Sequence, residues 1–152
     1  MRRKEREITD VREVEEIIRK ARVCRIAFAD GNEPYIVPVF YGYEDRTLYI
    51  HSAKEGRKLD ILRKNNRICF EMDADVDIIA GEEACKFSAK YRSVIGTGKA
   101  HILNKNEEKS RALQTIMKHY SGGEFTFTKA ELDTVLVWKV EIEQLSGKKA
   151  GY

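Results

Sequence analysis

The residues best equipped for chemistry lie in one run, His51-Ser-Ala-Lys-Glu-Gly-Arg-Lys58. It brings an imidazole, a hydroxyl and the cations of Lys54, Arg57 and Lys58 around Gly56. Such a set suits an anion. A phosphate at the start of a helix would take backbone N–H groups, a two-pronged bond from Arg57 and a point charge from Lys58, while Gly56 lets the backbone come close. The same charges also fit an exposed, solvated turn whose stems lie on the surface. The residue pattern alone leaves both readings open.

The flanking elements set this run in place. Leu48, Tyr49 and Ile50 follow the turn residues Glu44, Asp45 and Arg46 and read as a strand. Ser52 and Glu55 have capping-box spacing, which starts a helix at about Ala53, with Leu59 and Leu62 as its apolar stripe and Asn65-Asn66 at its end. In this reading Lys54, Arg57 and Lys58 crowd a helix start that disfavours each cation by a few tenths of a kcal/mol. Gly56 sits inside the helix at a cost of about 1 kcal/mol. A bound anion resolves both conflicts. From Arg67 a strand follows, with Ile68, Phe70, Met72, Ala74, Val76 and Ile78 on its buried face and acidic residues between them.

Elsewhere the chain supplies scaffold. Residues 8–21 read as an amphipathic helix with Asp10 and Glu13 at capping-box spacing and Val11, Val14, Ile17, Ile18 and Ala21 in its buried stripe. Val23 to Ala29 reads as a strand, Asp30-Gly31-Asn32 as a tight turn and Tyr35 to Tyr43 as the return strand. Pro38 cannot donate to a ladder, so it marks an edge, a bulge or a place where a ligand replaces a neighbouring strand. Tyr35, Phe40, Tyr41 and Tyr43 read as core or dimer interface. Tyr91 to Leu103 is a long strand in which Gly96 and Gly98 mark a bend, because no helix follows to make a dinucleotide fingerprint. Asn104 and Glu107 cap a helix from Lys105 to Tyr120, and Thr134 to Leu145 is the last strand. Hairpin-linked strands with few helices predict a mainly β fold, a β-barrel with flanking α-helices.

The 152 residues, 42% apolar, make one domain spanning 1–152. A net charge of +3 without a basic, aromatic stripe argues against nucleic acid. No segment has the length of a membrane span and residues 1–7 lack a signal-peptide core, so the expected setting is cytoplasmic. Cys24, Cys69 and Cys85 form no C-x-x-C pair and are expected reduced and buried. Asp73, Asp75 and Asp77 read as a solvated strand face, with no metal site expected, and His101 and His119 as structural.

The segments R22-V-C-R-I-A-F, P34-Y-I-V-P-V-F-Y-G-Y, L48-Y-I-H-S-A-K-E-G-R-K-L-D and Y91-R-S-V-I-G-T-G-K-A resemble the 5-nitroimidazole-resistance branch of the pyridoxamine 5′-phosphate oxidase-like proteins. The resemblance runs from Arg2 to Lys148. It implies an FMN-binding split barrel, a homodimer with FMN at the subunit interface. His51 or Ser52, Arg57 and Lys58 would hold the FMN phosphate. Val37, Pro38 and Val39 would lie along the ring system, and Arg92 and Ser93 would contact the flavin. The activity implied is transfer of electrons from reduced FMN to a small acceptor such as a nitroaromatic, with NAD(P)H as reductant and His51 as the candidate catalytic proton donor. A non-catalytic flavin or haem carrier, or a redox sensor, is the alternative on the same barrel. Two departures stand out. The tail Glu143–Tyr152 has no arginine to grip a substrate phosphate, which argues against oxidation of pyridoxamine phosphate. Ser93 stands where those oxidases carry a longer amide.

Overall fold

The computed structural model describes residues 3–152. Its elements are β1 (Glu7–Ile8), α1 (Val11–Lys20), β2 (Cys24–Asp30), β3 (Glu33–Val39), β4 (Gly42–Glu44), β5 (Thr47–Ser52), α2 (Arg57–Lys64), β6 (Arg67–Ile79), β7 (Ser88–Leu103), α3 (Asn106–Tyr120), α4 (Lys129–Leu132) and β8 (Leu136–Ala150). All strand pairs are antiparallel, in the order β3-β2-β6-β7-β8-β5-β4, with β1 added to β8. The fold is the mainly β one expected, with helices outside.

Alternation builds the core. Cys24, Ile26 and Phe28 of β2, Ile68, Phe70 and Met72 of β6, and Trp138 and Val140 of β8 all point inward and are buried. Each large apolar side chain taken out of water stabilises the fold by about 1.5–3 kcal/mol. Gly96 makes room in this core. A Cβ there would lie 2.2 Å from Cζ of Phe70, so its missing side chain is the space the ring fills. The expected bend is present as a register shift between Thr97 and Gly98. β3 is one margin of the sheet, and its Pro34 and Pro38 pair with Ala29 and Arg25 of β2. Pro38 thus marks an edge, one of the three outcomes its chemistry allows.

Helix α1 has Asp10 as N-cap, with its carboxylate accepting from Arg12 N at 2.9 Å. Its far end is closed by side chains from elsewhere. The Tyr41 hydroxyl reaches the carbonyls of Ile18 and Ala21, His119 Nε2 donates to the Ala21 carbonyl at 2.9 Å, and the Tyr120 hydroxyl donates to the Arg22 carbonyl at 3.1 Å. Helix α3 crosses the opposite edge of the sheet and meets β4 at Gly42, where a Cβ would lie 2.5 Å from the backbone N of Ile116.

Several local expectations need correction. Val76 and Ile78 are 58% and 66% exposed. Asp75 takes φ 56° and the β6–β7 register shifts between Ala74 and Asp77, and from there β6 runs on with Val76 to Ile79 exposed on both faces. Cys69 and Cys85 are exposed, Cys69 because it alternates outward from Ile68 and Phe70; only Cys24 is buried, and burial pushes its thiol up. Lys105, without a side-chain cap, takes the N-cap position of α3 that was expected one residue earlier at Asn104. β8 runs on to Ala150 because β7, from Ser88, offers it a partner that far. On the acidic face Asp73 stays 39% exposed while accepting from Arg25 at 2.7 Å and Asp77 is exposed, whereas Asp75 is drawn in by Lys20 and Arg92. Among the described residues no cluster of His, Cys, Asp or Glu suits a metal.

Candidate functional site

The turn after β5 differs from its expected form in a way that sharpens its chemistry. Ser52 Oγ donates to the Ala53 carbonyl at 3.1 Å, no capping box with Glu55 forms, and α2 starts at Arg57. Gly56 is the N-cap at φ 125°, ψ 161°, a conformation that side chains other than glycine's rarely allow, although a Cβ would find open space. The glycine is there for its dihedral angles, and its supposed interior cost disappears. The charge conflict stays, because Arg57 and Lys58 are the first two residues of α2 and expose the unpaired N–H groups of its opening turn.

These cations are poorly matched by acids. Arg57 Nη2 lies 3.9 Å from Asp30 Oδ2, and its guanidinium centre is 4.7 Å from the middle of the Tyr35 ring. Among the described residues neither Lys54 nor Lys58 has a carboxylate within 4.0 Å. Tyr35 sits on β3 two residues before Val37, so the basic turn and the Val37–Val39 edge are neighbours. Val37 is half-buried, Pro38 faces outward and Val39 is buried.

The other two expected residues lie elsewhere. On β7, Arg92 and Ser93 point to opposite faces, as successive strand residues must. Arg92 bonds to Asp75 Oδ2 at 2.9 Å, reaches Glu13 Oε1 at 4.0 Å and lies under the Tyr152 ring at 4.4 Å. Ser93 pairs with Asp73 and turns outward, on the face that carries Pro38 and the exposed Ile36 and Ile95. Phe28 aligns with Ile68 and Ile68 with Gly98, which puts Asp30 level with Ala100 and about eight positions, roughly 26 Å, from Arg92. One chain gathers the turn and the β3 edge; it does not gather Arg92 and Ser93 with them.

Sequence reasoning missed a third feature. Beside the turn, on the outer side of β5, Leu113, Ile116, Met117, Phe127, Val135 and His51 surround a pocket of about 300 Å³. Its one sequence signal is the Thr128-x-x-Glu131 spacing after a glycine-rich loop. That capping box does form, with Glu131 Oε2 accepting from Thr128 N at 2.7 Å and from its hydroxyl at 2.8 Å.

His51 stands at the pocket rim. Burial of its inner side, and then the Lys58 charge, lower its pKa from the usual histidine range, so it is neutral at pH 7. Burial also lowers the pKa of His119, against the Ala21 carbonyl that favours its proton. Both groups bind protons less readily in the folded chain than in the unfolded one. Their contribution is therefore complete above the unfolded pKa of about 6.5 and is lost as pH falls below it. The expected result is a lower melting temperature at pH 5.5 than at pH 7.5, with the difference reduced in His119→Asn; a melting temperature independent of pH across this range would contradict it.

A family model described as pyridoxamine 5′-phosphate oxidase matches residues 10–149, and the chain belongs to that family. Within it, a candidate 5-nitroimidazole antibiotic resistance protein of Bacteroides thetaiotaomicron is 35% identical, with a TM-score of 0.85 over 94% of this chain and 86% of that one. A FAD-binding protein of Mesorhizobium loti is 26% identical, with a TM-score of 0.71 over 96% and 98% of the two chains. The flavocytochrome Anf3 of Azotobacter vinelandii, at 19% identity and a TM-score of 0.85 over 100% and 72%, shares the fold. No curated protein matches. The resemblance read from the sequence is borne out, and the barrel is the split barrel of this family. No helix among the described residues is long and apolar enough to cross a membrane.

Proposed function

We propose that this chain is one flavin-binding domain that holds flavin mononucleotide by its phosphate at the 53–58 turn and delivers electrons to a small oxidant, nitroaromatic compounds being the class indicated by its resistance-protein relative. The observation that carries the reading is the excess of cations at a helix start: Arg57 has one distant acid and, among the described residues, Lys54 and Lys58 have none. That donor set fits a phosphate, which carries about two negative charges and accepts through three oxygens. The flavin, when bound, supplies the electron chemistry. The chain does the rest. Arg57, Lys58 and the first N–H groups of α2 hold the anion, and Ser52 shapes the turn. The Val37–Val39 edge gives a flat flank. His51, neutral and partly shielded from water, can keep a proton on one ring nitrogen for an acceptor seated beside it.

A homodimer is part of this proposal. Arg92 and Ser93 are too far from the turn to join it within one chain, and Ser93 lies on an outer sheet face where Ile36 and Ile95 are 61% and 52% exposed. A second copy laid on that face would cover Ile36 and Ile95 and place a partner surface beside Ser93. NAD(P)H is the proposed reductant, and three unbridged cysteines agree with a cytoplasmic setting.

The test is the visible spectrum of the purified protein, followed by oxidation of NAD(P)H with a nitroimidazole. A flavin spectrum and acceptor-dependent turnover are expected. Bound flavin without turnover would replace the reductase with a carrier or sensor, and a colourless protein that takes up no added flavin would end the proposal.

A further inference from the structure

The pocket walled by β5, α3 and the 127–135 segment is distinct from the phosphate turn, and neither Arg57 nor Lys58 lines it. We propose that it binds a small organic amine, with an apolar body of about one ring against α3 and Phe127 and the ammonium on Glu131. This site stands or falls apart from the flavin reading.

The lining sets the size and character of the guest. Leu113, Ile116 and Met117 come from α3, and Phe127 and Val135 from the segment that leads into β8, around a space of about 300 Å³. That is the small end of ligand cavities, filled by one ring and a short chain. A polarisable thioether and an aromatic side chain are good partners for a flat apolar body.

The polar groups decide what charge the guest carries. Among the described residues Glu131 is the ionised group of the lining, and no lysine or arginine joins it there. Hydrogen bonds from the Thr128 backbone and hydroxyl hold its carboxyl below the usual glutamate range. The capping box fastens it through Oε2, at 2.7 Å from Thr128 N and 2.8 Å from the Thr128 hydroxyl, which leaves Oε1 with no partner among the described residues. The Thr134 hydroxyl donates its proton to the Glu131 carbonyl at 2.7 Å, so it is not free to answer that oxygen. His51 is neutral and brings no charge to offset it. An anchored carboxylate with a spare oxygen beside an apolar space accepts best from a cationic N–H donor. A carboxylate or phosphate guest meets repulsion there and no counter-charge. A neutral guest gains the apolar burial alone.

Titration calorimetry on the full-length protein with phenethylamine, phenethyl alcohol and hydrocinnamate tests this, because the three share one shape and differ in the charge at the chain end. Glu131 is exposed, so water screens the pair, and the amine is expected to bind about tenfold more tightly than the alcohol, with the acid weaker than both. In Glu131→Gln the amide oxygen can keep both bonds from Thr128, since a capping box takes Gln as well as Glu. Its melting temperature should therefore hold while the amine falls to the affinity of the alcohol. Met117→Trp, which fills the space from a half-buried position, should abolish binding of amine and alcohol alike. The proposal is overturned if the wild type takes the acid as well as the amine, or gives no binding heat with the amine at millimolar concentration. A Glu131→Gln protein that keeps the preference for the amine overturns it too, as does a Met117→Trp protein with normal melting and undiminished binding. Each of these failures leaves flavin binding at the turn untouched.

Discussion

Changing Arg57 and Lys58 together to alanine is expected to weaken flavin binding by at least 100-fold while leaving the fold almost as stable as before. Each removes a charge-assisted contact to phosphate, and such contacts are worth about 1.5–3 kcal/mol. Together they amount to a factor of roughly 100 or more in the dissociation constant. The folded chain itself loses little. Arg57 gives up a 3.9 Å ion pair with Asp30 that water screens and a stacking contact with Tyr35, and Lys58 gives up no ion pair among the described residues. Exposed contacts of this kind contribute about 1 kcal/mol at most. Flavin retained on dialysis by the double variant, with unchanged affinity, would remove the phosphate from the turn. A matching loss of melting temperature would instead give these cations a structural role.

The largest effect on stability is expected at Gly42. Helix α3 lies so close to β4 that a Cβ on Gly42 would sit 2.5 Å from the nitrogen of Ile116, 2.5 Å from the carbonyl carbon of Thr115 and 2.7 Å from its oxygen. All three are backbone atoms, which cannot rotate aside as a side chain can. Gly42→Ala therefore has to push the helix off the sheet. Crowding a packed interior costs about 1–3 kcal/mol in general, and with rigid backbone on one side we expect about 3 kcal/mol, a fall of roughly 10 °C in melting temperature. The damage reaches the pocket, because Ile116 and Met117 move with the helix. A Gly42→Ala protein that melts within a degree or two of the wild type would show that α3 is free to shift at no cost.

Much of the barrel was legible because its cause is periodic. Alternation along residues 24–28, 67–74 and 136–142 follows from one buried face, and Pro38, lacking a donor, narrowed its place to an edge, a bulge or a ligand, of which the sheet order shows the edge. The errors come from positions where local pattern and tertiary geometry disagree. Ser52 and Glu55 have the spacing of a capping box, but Gly56 takes a positive φ that puts the helix start after it, out of reach of the serine. Asp75 also has a positive φ, at 56°, and nothing in an acidic alternating strand marks that position; past it the parity that should have buried Val76 and Ile78 is lost. At the site, the crowding of cations at a helix start was readable from the sequence, but the pattern alone did not decide between a bound anion and a solvated turn. The opposite facing of Arg92 and Ser93 follows from strand geometry, yet the distance between them and the turn needed the sheet order. The pocket beside His51 was invisible because its walls come from β5, α3 and the 127–135 segment, brought together by packing.

The prolines of β3 have one more consequence. They stand four residues apart on the margin strand, and the ladder to β2 keeps its donors only if both face away from it. At that margin the backbone then presents carbonyl groups with few N–H groups between them, a surface that offers few donors to the carbonyl oxygens of an extended peptide from another molecule. A sheet that ends on an uncovered strand is in this way protected from seeding cross-β fibrils.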